Sequence, residues 1–223
     1  MNPAANKQKS GSIVSIEESL GDFSSQQGSG SSTSAAIKQN GYWNMPYVGI
    51  SYDTIGLKYS EQANETVYDA VEGTGSIPSE SKFTGWHILF HAIVEAEGKE
   101  PTHLILTDKN NAVITIKLTN DQSPSGKMGV TILHINSATK EIISADITIY
   151  QADKLYEEGF LRKVLIHEIG HALGLGHSTS DSDIMHATIP VGNSTIYDLN
   201  GCEFASVREL YLKHKVSENI SCN

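Results

Sequence analysis

The stretch His167-Glu168-Ile169-Gly170-His171-Ala172-Leu173-Gly174-Leu175-Gly176-His177 constrains this chain more than any other. On a helix, residues four apart lie above one another on one face, so His167 and His171 can aim two imidazoles at one point. Glu168 is turned from His167 by about 100°. That angle suits a carboxylate leaning toward water held at that point better than a further ligand. Gly174 permits a left-handed turn that other residues resist, which ends the helix and lets His177 return as a third ligand. Three neutral histidines leave one position of a four-coordinate zinc ion open, as catalytic rather than structural zinc sites do. Paired histidines at this spacing also occur on ordinary helix surfaces, and His–Glu neighbours can be plain ion pairs. Here Glu168, Gly174 and His177 complete the pattern within an apolar run where unpaired histidines would be costly, which favours the metal. Phe160 and Val164 share a side with the two helical histidines, and Leu161, Leu165, Ile169 and Leu173 share another. A helix apolar on both sides belongs at the centre of a fold.

The rest of the chain reads as a frame for that helix. Residues 1–41 are rich in Ser, Gly, Gln and Asn, and 24–34 carry no large apolar side chain, the composition of a flexible leader. Ordered structure is expected from Tyr42-Trp43 onward, giving a leader over 1–41 and one folded domain over 42–223. A strand is predicted over 47–52. A helix follows over 61–71, capped by Ser60, with Val67, Tyr68 and Val71 inward. A second helix spans 86–97 and is stopped by Gly98 and Pro101. Strands follow at 103–107, 113–118, 130–135 and 142–150, with helix resuming near Glu158. Ser178 to Asp183 reads as loop, and 188–196 shows no clear period. A last helix covers 204–213, with Val207, Leu210 and Tyr211 inward. The layout is α+β.

A net charge of -10 argues against a nucleic-acid partner, since there is no excess of cations to neutralise phosphates. No run reaches membrane-spanning length, and the numbered chain opens without a signal-peptide pattern. Cys202 and Cys222 are the two cysteines. They read either as a disulfide tethering the C-terminus or as free thiols.

The 167–177 stretch resembles the signature of the metzincin metallopeptidases, and its Ala172-to-Ser178 wording is most similar to the matrixins. Asp183-Ile184-Met185 resembles the methionine turn of that clan, and 198–211 resembles the matrixin C-terminal helix. The resemblance is specific over about 144–211. It implies a metzincin-like zincin fold: a twisted mixed sheet with one antiparallel edge strand, a long active-site helix and a C-terminal helix. By order, 130–135 would be the edge strand, a template on which an extended peptide adds as another strand.

The resemblance further implies a zinc-dependent endopeptidase, with His167, His171 and His177 holding Zn2+ and a metal-activated water attacking the peptide bond. Glu168 would be the general base and then pass the proton to the leaving amine. Gly174 and Met185 would be structural, Met185 as a hydrophobic floor, and Ile189, Pro190 and Val191 would wall the substrate pocket. His186 is read as a non-ligand. The partner implied is a protein or peptide substrate, met by a monomer outside the cell or at its surface. The alternative is a weak or silent zinc domain that binds extended peptides. No cysteine precedes Cys202, so a cysteine-based latency is missing. Asp22 is the candidate latency residue in a short propeptide. His103, Asp108 and His134 are weak candidates for a second metal, and Ca2+ near Asn120-Asp121 stays open.

Overall fold

A computed structural model describes residues 11–24, 36–73, 83–99, 102–190, 198–214, 216–217 and 220–221. In chain order the elements are β1 (Ile13–Ser24), β2 (Ala36–Gln39), β3 (Tyr47–Asp53), α1 (Ser60–Glu72), α2 (Trp86–Glu97), β4 (His103–Leu106) and β5 (Ile114–Leu118). They continue with β6 (Gly129–Asn136), β7 (Ile142–Ile149), α3 (Ala152–Glu157), α4 (Leu161–Ala172), β8 (Leu175–Ser178), β9 (Thr188–Pro190), α5 (Gly201–Lys213) and β10 (Ile220–Ser221).

The main sheet runs β4-β3-β5-β7-β6-β1-β9. Strands β4, β3, β5 and β7 are parallel, and β6 is antiparallel to β7. The run Asp108 to Asn111, despite its turn composition, does not close a hairpin: β4 and β5 lie on opposite sides of β3. The fold is therefore the mixed α+β arrangement expected of a zincin, with the sheet packed on helices. A second, small sheet of order β10-β2-β8 ties the segment after α4 to the N-terminal region.

Two expectations about the sheet are corrected. Regular structure begins well upstream of Tyr42, at Ile13, and 25–35 lie outside the described residues. The strand expected at the edge is not an edge. β1 pairs antiparallel along all of β6, from Ile13 opposite Asn136 to Leu20 opposite Gly129, and β9 then pairs parallel with β1. The alternation within 130–135 reports that one face is buried. It carries no information on whether the second backbone edge is paired.

The helices follow their periodicity with local changes. α1 begins at Ser60 itself, with Tyr59 as N-cap and no side-chain cap. The Asp153 carboxylate instead accepts the Lys58 and Tyr59 amides, at 2.9 and 3.1 Å. Val67 and Val71 are buried as expected, whereas Tyr68 is exposed. The helical signal near Glu158 is interrupted by Gly159, at φ 77°, which separates α3 from α4. Phe160 becomes the N-cap of α4. α5 starts earlier than expected, where Asn200 and Glu203 form a capping box, the Asn200 side chain accepting from the Cys202 amide. Cys202 is disulfide-bonded, and the sequence's other cysteine, Cys222, lies outside the described residues.

The core lies between the sheet and α1, α2, α4 and α5, and every residue of α4 except Arg162 is buried. Trp86 donates to the Ile166 carbonyl at 3.0 Å, and Trp43 to the Ala172 carbonyl at 2.9 Å. The Tyr211 hydroxyl donates to the Leu173 carbonyl at 3.0 Å. Carbonyls in the last turn of a helix have no partner within it. Here side chains from before β3 and from α5 supply those partners and fix where the helix ends.

Candidate active site

α4 presents His167 and His171 one turn apart, as the spacing requires. The chain then turns through Gly174, at φ 94°, and β8 brings His177 back to them. Gly174 is demanded twice over. Its backbone is left-handed, and a Cβ there would run into the Gly41 carbonyl oxygen. The Asn40 amide donates to the Gly174 carbonyl at 2.7 Å, so the turn is clamped to the chain just beyond β2.

The His171 ring meets the other two edge to face, with centroids 4.5 Å from His167 and 4.8 Å from His177, while the His167 and His177 rings are tilted by 33° at 5.4 Å. His167 Nδ1 lies 2.7 Å from the Ile184 carbonyl and His171 Nδ1 lies 2.8 Å from the Leu175 carbonyl. A carbonyl can only accept, so each Nδ1 carries the proton and each Nε2 keeps its lone pair. His177 Nδ1 faces the Glu18 carboxylate at 3.7 Å. The Nε2 atoms of all three histidines are buried without a hydrogen-bond partner. The ligand atoms lie within 4.8 Å of one another, and among the described residues this is the single such group. Buried nitrogens left unpaired are costly, and three aimed at one point are what a zinc ion with one open position needs. Burial also drives the rings toward the neutral, ligating form. It lowers His167 to about 3 and His171 well below its usual value. His177 is lowered as well: burial dominates, and the nearby Glu18 charge and the Ser19 backbone oppose it.

Glu168, next in sequence to His167, is fully buried. Its Oε2 accepts from the Thr131 hydroxyl at 2.6 Å and its Oε1 from the Leu20 amide at 3.1 Å. Burial pushes its carboxyl up to about 8, against the opposing pull of those two hydrogen bonds. A Cβ at Gly129 would collide with the Glu168 side chain, so only glycine lets β6 pass this close. Neither Gly129 nor Thr131 is singled out by the sequence motifs. Thr131 had a signal: it is the polar member of the Thr131, Leu133, Ile135 face of β6, at a position where alternation predicts burial.

Met185 is wholly buried and packs against Gly170, where a Cβ would meet its sulfur and the Trp86 ring. The turn carrying it is held by a buried polar network. Ser178 donates to Asp183, and Asn200 donates to Asp183 at 2.9 Å. This network places the Ile184 carbonyl that orients His167. His186 turns its Nδ1 to the Thr188 carbonyl at 3.0 Å and stands outside the ligand group. The backbones of Ile189 and Pro190 belong to β9, while their side chains, and all of Val191, lie outside the described residues. Asp22 lies within β1, and its side chain is likewise outside them.

The candidates for a second metal are not brought together. His103 stacks on Tyr47, Asp108 caps its own turn, and His134 contacts Ser15 and Asp146. Asp121 bonds to Thr119 and Asn120 to Asp153.

Residues 88–212, more than half of the chain, match the profile of the matrixin family. The chain belongs to the matrixins. It is 31% identical over 135 residues to human matrix metalloproteinase-25, an alignment covering 56% of this chain and 23% of that protein. It is 33% identical over 88 residues to the metalloendoproteinase 2-MMP of Arabidopsis thaliana, covering 40% of this chain and 21% of the relative. Matrilysin of Rattus norvegicus is 40% identical over 50 residues, 22% of this chain and 19% of the relative. The chain thus spans about a fifth of the length of these relatives. Among the described residues, no helix of this matrixin is long and apolar enough to cross a membrane.

Proposed function

We propose that this matrixin is a zinc-dependent endopeptidase that hydrolyses peptide bonds in proteins or peptides, acting as a monomer outside the cell or at its surface. The observation that carries the reading is the convergence of three buried, unpartnered Nε2 atoms, two of them on the helix that also carries the buried Glu168. Zinc, when bound by His167, His171 and His177, supplies Lewis acidity toward water and the peptide carbonyl. Glu168 takes the proton from water and hands it to the departing amine nitrogen. Thr131 and Gly129 fix the carboxylate against β6, so a peptide extended along β6 meets Glu168 at its backbone. Met185 supports the ring cluster from below, and Ile189, Pro190 and Val191 form the pocket wall. Residues 1–41 serve as a short propeptide. The matched relatives bear the names of metalloproteinases, which agrees with this reading.

A second reading has one observation in its favour. Both Glu168 oxygens are engaged and β1 already covers β6, as in a zinc domain that holds a peptide without cutting it. The two readings separate when purified protein is incubated with a mixed peptide library, with and without a zinc chelator, beside Glu168→Gln. The peptidase reading expects internal cleavage that the chelator abolishes and that Glu168→Gln reduces by about 10²–10⁴-fold. Cleavage that persists in either arm rules out this mechanism.

A further inference from the structure

A cavity of about 200 Å³ lies between α2 and β4, the strand that forms one edge of the main sheet. Phe90, Thr102 and Leu104 make its buried floor, where the Thr102 hydroxyl donates to the Met45 carbonyl at 2.8 Å. Three histidines, His87, His91 and His103, line the same cavity. It shares no residue with the cluster of His167, His171 and His177.

His87 and His91 are four residues apart on α2, so both rings leave the helix on one face, as His167 and His171 do on α4. Each turns its Nδ1 to a carboxylate. His87 Nδ1 is buried and faces Glu72 Oε2 at 3.1 Å, short of hydrogen-bond alignment, and His91 Nδ1 faces Glu95 Oε1 at 3.8 Å. A carboxylate can only accept, so the proton of the neutral ring is drawn to Nδ1 and the Nε2 lone pair is left for a ligand. A carboxylate behind the ring is the partner that metal-binding histidines commonly have. His103 comes from β4. Its ring stacks on Tyr47, with planes 9° apart, and lies 6.3 Å from the His87 ring. Ring separations in the first cluster run from 4.5 to 5.4 Å. The His87 and His91 side chains are 36% and 54% exposed, so they have room to turn and close that difference.

We propose that His87, His91 and His103 form a second metal site, for Zn2+ or another divalent ion that favours imidazole, and that the ion ties α2 to the edge of the sheet. The inference does not depend on the endopeptidase reading. Glu72 and Glu95 place negative charge around the dication. The ligand nitrogens are not preassembled here as they are in the first cluster. The ion must select the side-chain rotamers that bring them together. A ligating arrangement populated at about 0.1% weakens the apparent affinity about a thousandfold. The first site therefore fills first, and the second fills only when the ion is abundant. α2, which carries the Trp86 donor to the Ile166 carbonyl, is then crosslinked to β4.

The test loads the full chain with one equivalent of Zn2+ and then raises Zn2+ in equilibrium dialysis. Wild type should take up a second equivalent, about a thousandfold more weakly than the first. The imidazole C–H signals of His87, His91 and His103, assigned by sequential NMR, should move with that second equivalent. Those of His167, His171 and His177 should already have moved with the first. His91→Asn changes an exposed side chain, and it should lose the second equivalent while keeping the first. Glu72→Gln should weaken the second equivalent by about 10–100-fold and leave the first unchanged. Uptake that stops at one equivalent in wild type overturns the proposal. So does a second equivalent that leaves the three cavity histidines unmoved, or one that persists undiminished in His91→Asn. The wild-type signals decide the matter without any variant.

Discussion

Glu203 is fully buried at the third position of α5, where one carboxylate oxygen accepts the Asn200 amide at 2.8 Å and the other has no partner. Burial raises its carboxyl to about 8, with the Asp183 charge adding to the rise and backbone hydrogen bonds opposing it. An unfolded glutamate titrates near 4.5, so the folded chain binds the extra proton between 4.5 and about 8. The stability this group contributes is therefore complete below about pH 4.5 and is lost as the pH climbs to about 8. Glu203→Gln keeps an acceptor for Asn200 and removes the titration. Its melting temperature should exceed that of wild type by an amount that grows from pH 5 to 8, corresponding to a few kcal/mol, and converge with it in acid. Parallel melting curves across that range would place the proton elsewhere. Glu203 lies just ahead of the helix predicted over 204–213, and nothing in its local pattern marks it for burial. Its burial follows from the Met185 turn folding over the start of α5, a long-range event that no local pattern encodes.

At the scale of elements, the end of α4 decides the site. Gly174→Ala would place a Cβ against the Gly41 carbonyl at a left-handed backbone position, two separate penalties. The substitution should destabilise the fold by about 1–3 kcal/mol or more and weaken zinc binding in parallel, since His177 follows the turn. Chemical denaturation and zinc titration of the variant check both halves. Tyr211→Phe tests the cap itself. It leaves the Leu173 carbonyl buried and unpaired, which should cost about 1–3 kcal/mol with no change in the metal-binding stoichiometry. The helices and their inward faces were legible because a 3.6-residue period reports burial directly. α2 matches its predicted limits, and α4 carries both helical histidines at the expected register. What was not legible is pairing. β1 reads as a short apolar patch in a polar leader, and its partner is more than 100 residues away. The same limit explains why β6 was expected at an edge: alternation names the buried face of a strand and is silent on its neighbours.

Across the whole molecule, the metal should behave as part of the fold. Two of the three ligand rings are oriented by backbone carbonyls from the Met185 turn and β8, and the third faces Glu18 of β1, so binding favours the folded chain alone. Zinc at 100 times its dissociation constant should add about 2.7 kcal/mol of stability. For a chain of this size that is a rise of roughly 5–11 °C in melting temperature. His171→Ala should abolish the rise. A variant that retains it would show that the stabilising ion binds somewhere else. The histidines, the glutamate and the turn glycine could be read from one short stretch because helix geometry fixes their relation. The contributions of Thr131, Gly129 and Leu20 could not, since each reaches Glu168 from a strand remote in sequence.

The small sheet of β10, β2 and β8 gives this assembly an order in time. β8 carries His177, and its partner β2 lies well over 100 residues earlier in the chain, with Ile37 opposite Ser178 and Gln39 opposite Leu175. Closing so long a loop is slow relative to forming α4, whose histidine pair needs only local contacts. The ligand set is then two-thirds complete early in folding and whole only when the chain's distant segments meet. Uptake of a zinc-sensitive dye's metal during refolding would, on this basis, lag the recovery of helix signal and time the last step of folding.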